Sequence, residues 1–421
     1  MISFCINAIK IIFLLGFLIL IHEGGHFLVA KAFKVKVNEF SLGFGKKLKS
    51  VKKGDTEYSL RILPLGGFVS MEGEEERSDA EGSFSKLPIP KRMAIVVAGA
   101  TVNIIFGIIL YFILIAVSGT FYSTTINSTL DGYGAKDVGL VQGDTITEID
   151  GKKVHSNIDI NNYIEKTKDK EVELTIDRSG ETKKYKVTPT KVITKTIGIY
   201  LGTEKTASNK IDSLYDDSPA KKAGLKNGDI ITKVDGKDIP DGDYKLLIDS
   251  IQNSENDEIE LEVKRENEVL NFKIKPMINE NYYLGVLFKK VDKNFLNANY
   301  YAFWGTADFV KTLGSSVKKI FTGKVKANQM MGPIGISSTV AKTNTVAEFV
   351  YIMAVISLSL GITNLLPIPA LDGGKIVLLL LEAIKRKPLN KNFEIGVQML
   401  GFLFIILLSI YVSFNDVTRL L

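Results

Sequence analysis

The sequence predicts a polytopic α-helical membrane protein: four transmembrane helices, two tandem β-rich modules between the second and third, and a membrane-associated β-hairpin after the first. Three observations predict it. Apolar residues gather at the two ends of the 421-residue chain, while charged residues fill its middle. The terminal runs reach the about 20 residues that a bilayer-crossing helix needs. The polar middle repeats itself at a spacing of roughly 85 residues, a module length near the lower limit for a small domain. A net charge of +6, from 53 Lys and Arg against 47 Asp and Glu, lacks the clustered basic face of a nucleic-acid binder and excludes that class. Cys5 is the one cysteine, so no intrachain disulfide forms.

The first run, Ile2 to Ala30, is apolar apart from Asn7, Lys10 and the His22–His26 cluster. It outlasts a signal-peptide core and no small-residue cleavage site follows it, so residues 1–32 read as the first span. Residues 33–92 form a loop rich in lysine, from Lys34 to Lys53, with Lys91 and Arg92 at its end. A second span covers 93–119, and the two modules occupy 120–196 and 197–290. In the segment 291–345, Phe295 to Lys319 mixes Tyr300, Tyr301, Phe303 and Trp304 with Lys311, Lys318 and Lys319, the composition of an interfacial amphipathic helix. The third span, 346–384, is too long for one straight helix and carries Asn364, Pro367, Pro369 and Asp372 in its middle. It reads as a helix ending near Leu366, a non-helical stretch, and a short second helix. Irregular backbone at membrane depth is tolerated where it lines a protein cavity. A basic loop, 385–394, and a fourth span, 395–414, complete the chain. Basic loops stay cytoplasmic, which places 33–92 and 385–394 inside and both termini and the modules outside.

The repeat is explicit. Gly139-Leu-Val-Gln-Gly-Asp-Thr-Ile-Thr-Glu-Ile-Asp-Gly-Lys152 matches Gly224-Leu-Lys-Asn-Gly-Asp-Ile-Ile-Thr-Lys-Val-Asp-Gly-Lys237, Glu171–Ile176 matches Glu258–Val263, and Ile197-Gly-Ile199 matches Leu284-Gly-Val286. Alternating stretches between Gly-Asp and Asp-Gly pairs read as strands joined by tight turns. The run from Ser218 to Ile231 resembles PDZ domains of bacterial envelope proteases, with Gly134-Ala135 in the first copy where the second has Pro219-Ala220. That resemblance implies strand addition by an extended peptide ligand, with Ile197-Gly198 and Leu284-Gly285 as carboxylate-loop positions. The alternative is that the modules bind nothing and act as a size filter above the membrane.

His22-Glu-Gly-Gly-His26 places two imidazoles four residues apart on one helix face, able to reach one ion, with Glu23 beside them to take a proton from water. Ionisable groups inside a bilayer are costly and usually functional. Catalytic zinc sites commonly use three protein ligands and water. The third must share the membrane depth of the histidines. Asp372 fits, about 25 residues into an inward-running segment, as His22 is about 20 residues into another; its other reading is a helix N-cap. Imidazole and carboxylate ligands suit zinc. Asn364 would hold substrate backbone or an oxyanion, or else make a helix–helix hydrogen bond. Asn103, in the second span, reads as a packing or hydrogen-bonding residue.

Together, HExxH in the first span, Asn364-x-x-Pro367-x-Pro369-x-Leu-Asp372-Gly, and PDZ-like modules between spans resemble the site-2 protease family of intramembrane zinc metalloproteases, in its bacterial RseP (regulator of sigma-E protease) type. Glu57–Phe68, Gly99–Asn103 and Met331–Ile336 extend the likeness over essentially the whole chain. Gly24 departs from it, since bulkier residues are common there. The resemblance implies one Zn2+ per chain on His22, His26 and Asp372, Glu23 as catalytic glutamate and Asn364 as a substrate-binding amide. It also implies a multi-pass protein of the bacterial inner membrane with its active site near the cytoplasmic side. The substrates would be transmembrane segments of single-pass proteins such as anti-sigma factors, or remnant signal peptides. Thr56 to Ser70 alternates as a hairpin and resembles the family's membrane-associated β-region, whose edge would pair with an unwound substrate; the plainer reading is an amphipathic hairpin at the interface. The competing function is non-enzymatic: a membrane scaffold carrying PDZ-like modules, or a metal-binding sensor.

Overall fold

The computed structural model describes residues 2–74, 76, 78–202, 207–215, 218–266, 268–322 and 331–420. It divides into two units, Met1–Phe121 with Asp292–Leu421, and Tyr122–Val291.

The first unit carries helices α1 (Ile2–Ala32), α2 (Ile89–Ser118), α3 (Phe295–Phe321), α4 (Pro333–Ala341), α5 (Val346–Asn364), α6 (Asp372–Lys385) and α7 (Lys391–Leu420). Of these, α1, α2, α5 and α7 are long and apolar enough to cross a membrane. Residues 323–330 of the segment 291–345 lie outside the described residues. The third apolar run breaks where its prolines require: α5 ends at Asn364 and α6 begins at Asp372, because Pro367 and Pro369 supply no N–H and disfavour helix in the residue before them. Thr345 caps α5 by accepting from the Glu348 N–H, and Glu348 accepts in return from the N–H of Asn344, one residue before the cap; the reciprocal pair fixes where the helix starts.

In lipid, apolar surface gives helices little reason to associate, so close approach at small residues matters most. An ideal Cβ on Gly25 would stand 2.7 Å from Ala98 O, which places the α1–α2 crossing at Gly25. On Gly107 it would stand 2.9 Å from Ala354 O, and on Gly361 2.7 Å from Ala100 O, which places the α2–α5 crossing there. Ser357 Oγ donates to Asn103 O at 2.8 Å across that second crossing.

Between α1 and α2 runs a hairpin, β1 (Val37–Lys53) and β2 (Thr56–Met71). Its arms fold back on themselves: Phe40 pairs with both Tyr58 and Val69, and Leu42 with both Leu60 and Gly67. The result is a curled sheet with the segments near 67–71, 37–42, 56–60 and 47–53 in that order. The bends lie at Gly43 and Gly45, both at positive φ; a Cβ on Gly43 would also press to 2.7 Å from Leu63 O. Sequence periodicity suggested a hairpin within Thr56–Ser70. That stretch is one arm, and its partner lies upstream, where lysines hide the alternation.

The second unit contains two hydrophobic cores, but the modules are nested where simple succession was expected. The first sheet orders Val286–Lys290, Tyr122–Thr129, Thr145–Ile149, Val172–Arg178 and Glu181–Val187, so its first strand comes from the far end of the unit. Tyr282 and Leu284 pack in one core with Ile126, Ile146 and Leu174. The other core draws on Ile197 to Ile274. A two-stranded ribbon, Thr190–Thr196 against Met277–Tyr283, joins them. The boundary expected at residue 290 is therefore corrected: 282–290 belong to the first core. In both modules the turn aspartate is held alike, Asp144 by Arg178 and the Val141 N–H, Asp229 by Arg265 and the Lys226 N–H.

Candidate metal centre

α1 presents His22 and His26 one turn apart, and α2 crosses directly over them. Gly99 makes the room: a Cβ there would stand 2.4 Å from His26 Nε2 and 2.9 Å from His22 Cε1. Both rings are buried, at 8% and 9% exposure. His26 Nδ1 lies 2.8 Å from Ile95 O. A carbonyl only accepts, so Nδ1 carries the ring proton and Nε2 offers a lone pair. His22 Nδ1 lies 3.4 Å from the amide of Asn103, a residue with no exposure. The Asn103 Oδ1 is buried without a partner. Oxygen and nitrogen of an amide exchange on a half-turn; turned so, Oδ1 accepts from His22 Nδ1–H, and the amide nitrogen takes the place where Oδ1 stood. Both Nε2 atoms then point lone pairs at the same place.

Asp372 arrives from the other end of the chain. Leu371 is the N-cap of α6 and Asp372 its first helical residue, so its side chain is released from capping. Its Oδ2 lies 3.2 Å from His22 Nε2 and 3.4 Å from His26 Nε2, while the two nitrogens are 3.3 Å apart. Oδ2 is buried and hydrogen-bonded to nothing. Three acceptors facing one another at such range repel unless a cation lies among them. Ligands at about 2.0–2.1 Å from a tetrahedral zinc ion stand about 3.3–3.4 Å from each other. The donor set, His, His and carboxylate, and the three spacings fit that ion. Among the described residues this is the one such trio of His, Cys, Asp and Glu groups.

Around the trio lies a cavity of about 1140 Å³, lined by Glu23, Asn364, Phe68 to Met71, Gln398 and Lys375 among others. Glu23 follows His22 on α1; a Cβ on Gly67 of β2 would lie 3.5 Å from its Cγ. Asn364 ends α5 and reaches the same cavity. All five residues expected from the sequence thus meet in one place. Sequence reasoning missed the supports. Arg92 of α2 and Glu382 of α6 form a bidentate pair at 2.8 and 3.1 Å, about a tenth exposed. Lys375 pairs with Glu74 at 2.8 Å, and Lys391 with Glu76 at 3.1 Å. Asn103, read from the sequence as a packing or hydrogen-bonding residue, makes its bond to His22.

Residues 10–408 match the description of peptidase family M50. Over 98% of its length the chain is 30% identical to the regulator of sigma-W protease RasP of Bacillus subtilis, covering 99% of that protein. It is 31% identical to a putative zinc metalloprotease of Thermotoga maritima, over 97% of this chain and 98% of that one. It is 27% identical to the regulator of sigma-E protease RseP of Escherichia coli, over the full length of both. Among solved structures, the HtrA3 PDZ domain bound to a phage-derived ligand matches 22% of this chain and 93% of its own, at 25% identity and a TM-score of 0.19.

Proposed function

We propose, since this chain belongs to peptidase family M50, the site-2 proteases, that its zinc ion is held by His22, His26 and Asp372, with Glu23 as the general base and Asn364 as a substrate-binding amide. The chain is an intramembrane zinc metalloprotease of regulated proteolysis. What supports the residue assignment is the triangle of 3.2, 3.3 and 3.4 Å between three buried acceptor atoms.

When bound, zinc polarises the scissile carbonyl and makes water acidic enough to give up a proton near neutral pH. Glu23, one residue from a ligand and in the same cavity, takes the proton from the attacking water and returns it to the leaving nitrogen. Ile95 O and Asn103 keep the protons of both imidazoles on Nδ1, which orients each ring and keeps Nε2 free. Asn364 holds the substrate carbonyl from the end of α5. A helical substrate hides its backbone in its own hydrogen bonds and must be unwound before it is cut. The segment Phe68–Met71 is an outer strand of the curled sheet and lines the cavity, so its free edge pairs with the extended substrate. Exposed Phe44, Leu48, Val51, Ile62 and Leu63 seat this sheet against lipid.

Substrates are transmembrane segments of single-pass proteins, anti-sigma-factor-like proteins among them, and remnant signal peptides. The protein occupies the bacterial inner membrane, with its nested modules outside, PDZ-like and able to take peptide ligands, and its metal near the cytoplasmic face. The test compares wild type with Glu23→Gln, purified in detergent, on a tagged transmembrane substrate with zinc measured. Both should hold about one zinc per chain and only wild type should cut. Cleavage by Glu23→Gln at the wild-type rate, or a wild type that holds no zinc, overturns the assignment.

A further inference from the structure

Asp372 is delivered by a loop, and the loop is held from an unexpected side. Between α5 and α6 the backbone turns sharply: Ile368 N–H donates to Leu366 O and Leu371 N–H to Ile368 O. Ala370 takes φ +72°, in the left-handed region, a conformation disfavoured for a residue with a Cβ. It stands two residues before Asp372, so any relaxation there moves the carboxylate. Gln398, about two turns into α7, accepts the Ala370 N–H through Oε1. Three residues on, Gly401 lets Pro369 lie against the same helix; a Cβ at 401 would come within 2.3 Å of Pro369 O.

α7 is otherwise an apolar helix, with Met399, Leu400, Phe402, Leu403 and Phe404 all exposed. A glutamine in such a span needs a reason. Its side-chain hydrogen bond goes to the strained residue of the loop that carries Asp372. At its far end α7 is tied by Asp416, whose Oδ2 accepts from the N–H groups of Gly332 and Gly335 at the start of α4.

We infer that Gln398 is a positioning residue for the metal: by holding Ala370 in its left-handed conformation, it fixes the Asp372 carboxylate at the two imidazoles. The inference rests on the zinc assignment above. Without the acceptor, Ala370 relaxes toward negative φ and the carboxylate swings off the histidine pair.

The experiment titrates zinc from the full chain in detergent against a graded chelator, alongside thermal unfolding and cleavage kinetics. Gln398→Leu should lose zinc at about 10- to 100-fold lower chelator strength, the range for partners that orient metal ligands. Ala370→Gly, which adopts positive φ without strain, should restore zinc retention in the Gln398→Leu background. Should Gln398→Leu not fold, Gln398→Ala takes its place. Zinc retention equal to wild type in the glutamine variant overturns the inference, as does a raised KM with retention unchanged, which marks a substrate contact. So does failure of Ala370→Gly to restore retention in a protein that melts as wild type. His26→Ala runs in parallel: if it retains zinc like wild type, the ligand assignment itself falls, and this inference with it.

Discussion

Alanine at position 99 should empty the metal site while leaving its ligands untouched in sequence. Its new Cβ would stand 2.4 Å from His26 Nε2, 2.8 Å from His26 Cε1 and 2.9 Å from His22 Cε1, whereas ordinary contacts begin at 3.4 Å. His26 Nε2 must therefore retreat by about 1 Å, and metal geometry tolerates about 0.2 Å. The ring cannot swivel away freely, because Nδ1 is fixed to Ile95 O. Nor can α2 back off cheaply, since Gly107 and Gly361 pack it against α5; overpacking of this kind costs about 1–3 kcal/mol. The assay is zinc content after dialysis against chelator, with cleavage of a tagged substrate. Gly99→Ala should lose zinc and activity together. Two controls separate metal loss from general damage. Gly107→Ala, with a Cβ 2.6 Å from Leu358 Cγ, should lower the melting temperature yet keep zinc. Gly24→Ala, with nothing within 4 Å, should keep both zinc and activity and gain up to about 1 kcal/mol of helix propensity. A Gly99→Ala protein that holds zinc and cuts like wild type refutes the geometry.

Arg92→Met should destabilise the chain by about 3–5 kcal/mol, because it strands Glu382 about a tenth exposed; the double change Arg92→Met with Glu382→Leu should recover most of that in a thermal melt. In the modules, burial opposes ionisation of Asp144 and Asp229, but Arg178 and Arg265, helped by backbone N–H groups, outweigh it and hold both carboxyls below the usual range. A depressed folded pKa gives stability that is present above the unfolded value of about 3.9 and lost as pH falls through the folded one. Melting of the full chain from about pH 6 down to about pH 3 should show that loss, and Asp144→Asn should flatten it; an unchanged profile would count against the pairing.

What was legible in the sequence follows from where the constraint is local. His22 and His26 share a helix face by their spacing alone, and Pro367 and Pro369 announce the break that frees Asp372. The depth argument bears on Asp372 because a bilayer reduces three dimensions to one: residues at matched distances along spans that run the same way lie at matched height. Nesting of the modules was illegible for the opposite reason. Ile197-Gly-Ile199 and Leu284-Gly-Val286 carry the same pattern, so the repeat gives their register but not which core each enters; that choice is made by the ribbon of Thr190–Thr196 with Met277–Tyr283. Asn103 stood out only as an amide in an apolar run, and Gln398 was not singled out at all. Their partners, His22 Nδ1 and Ala370 N–H, are far off in the chain.

The three residues proposed as ligands are held by two different means, and this matters for how the site would open to a substrate. His22 and His26 are held where Gly25 of α1 meets Ala98 and Gly99 of α2 backbone to backbone, with the two rings packed against Gly99. Asp372 is fixed by a strained loop, an amide on α7 and ion pairs from α6 to Arg92 and Glu74. Apolar contact contributes little net attraction inside a bilayer, so an ion bound as proposed would itself tie α1 to α6. On the proposed reading, a substrate strand entering beside Phe68–Met71 would share its cavity with Gln398 and Lys375, on the yielding side of the site. Motion that admits substrate can therefore be taken up by α6, α7 and their loop, while the imidazole pair, locked against α2, stays in register with Glu23.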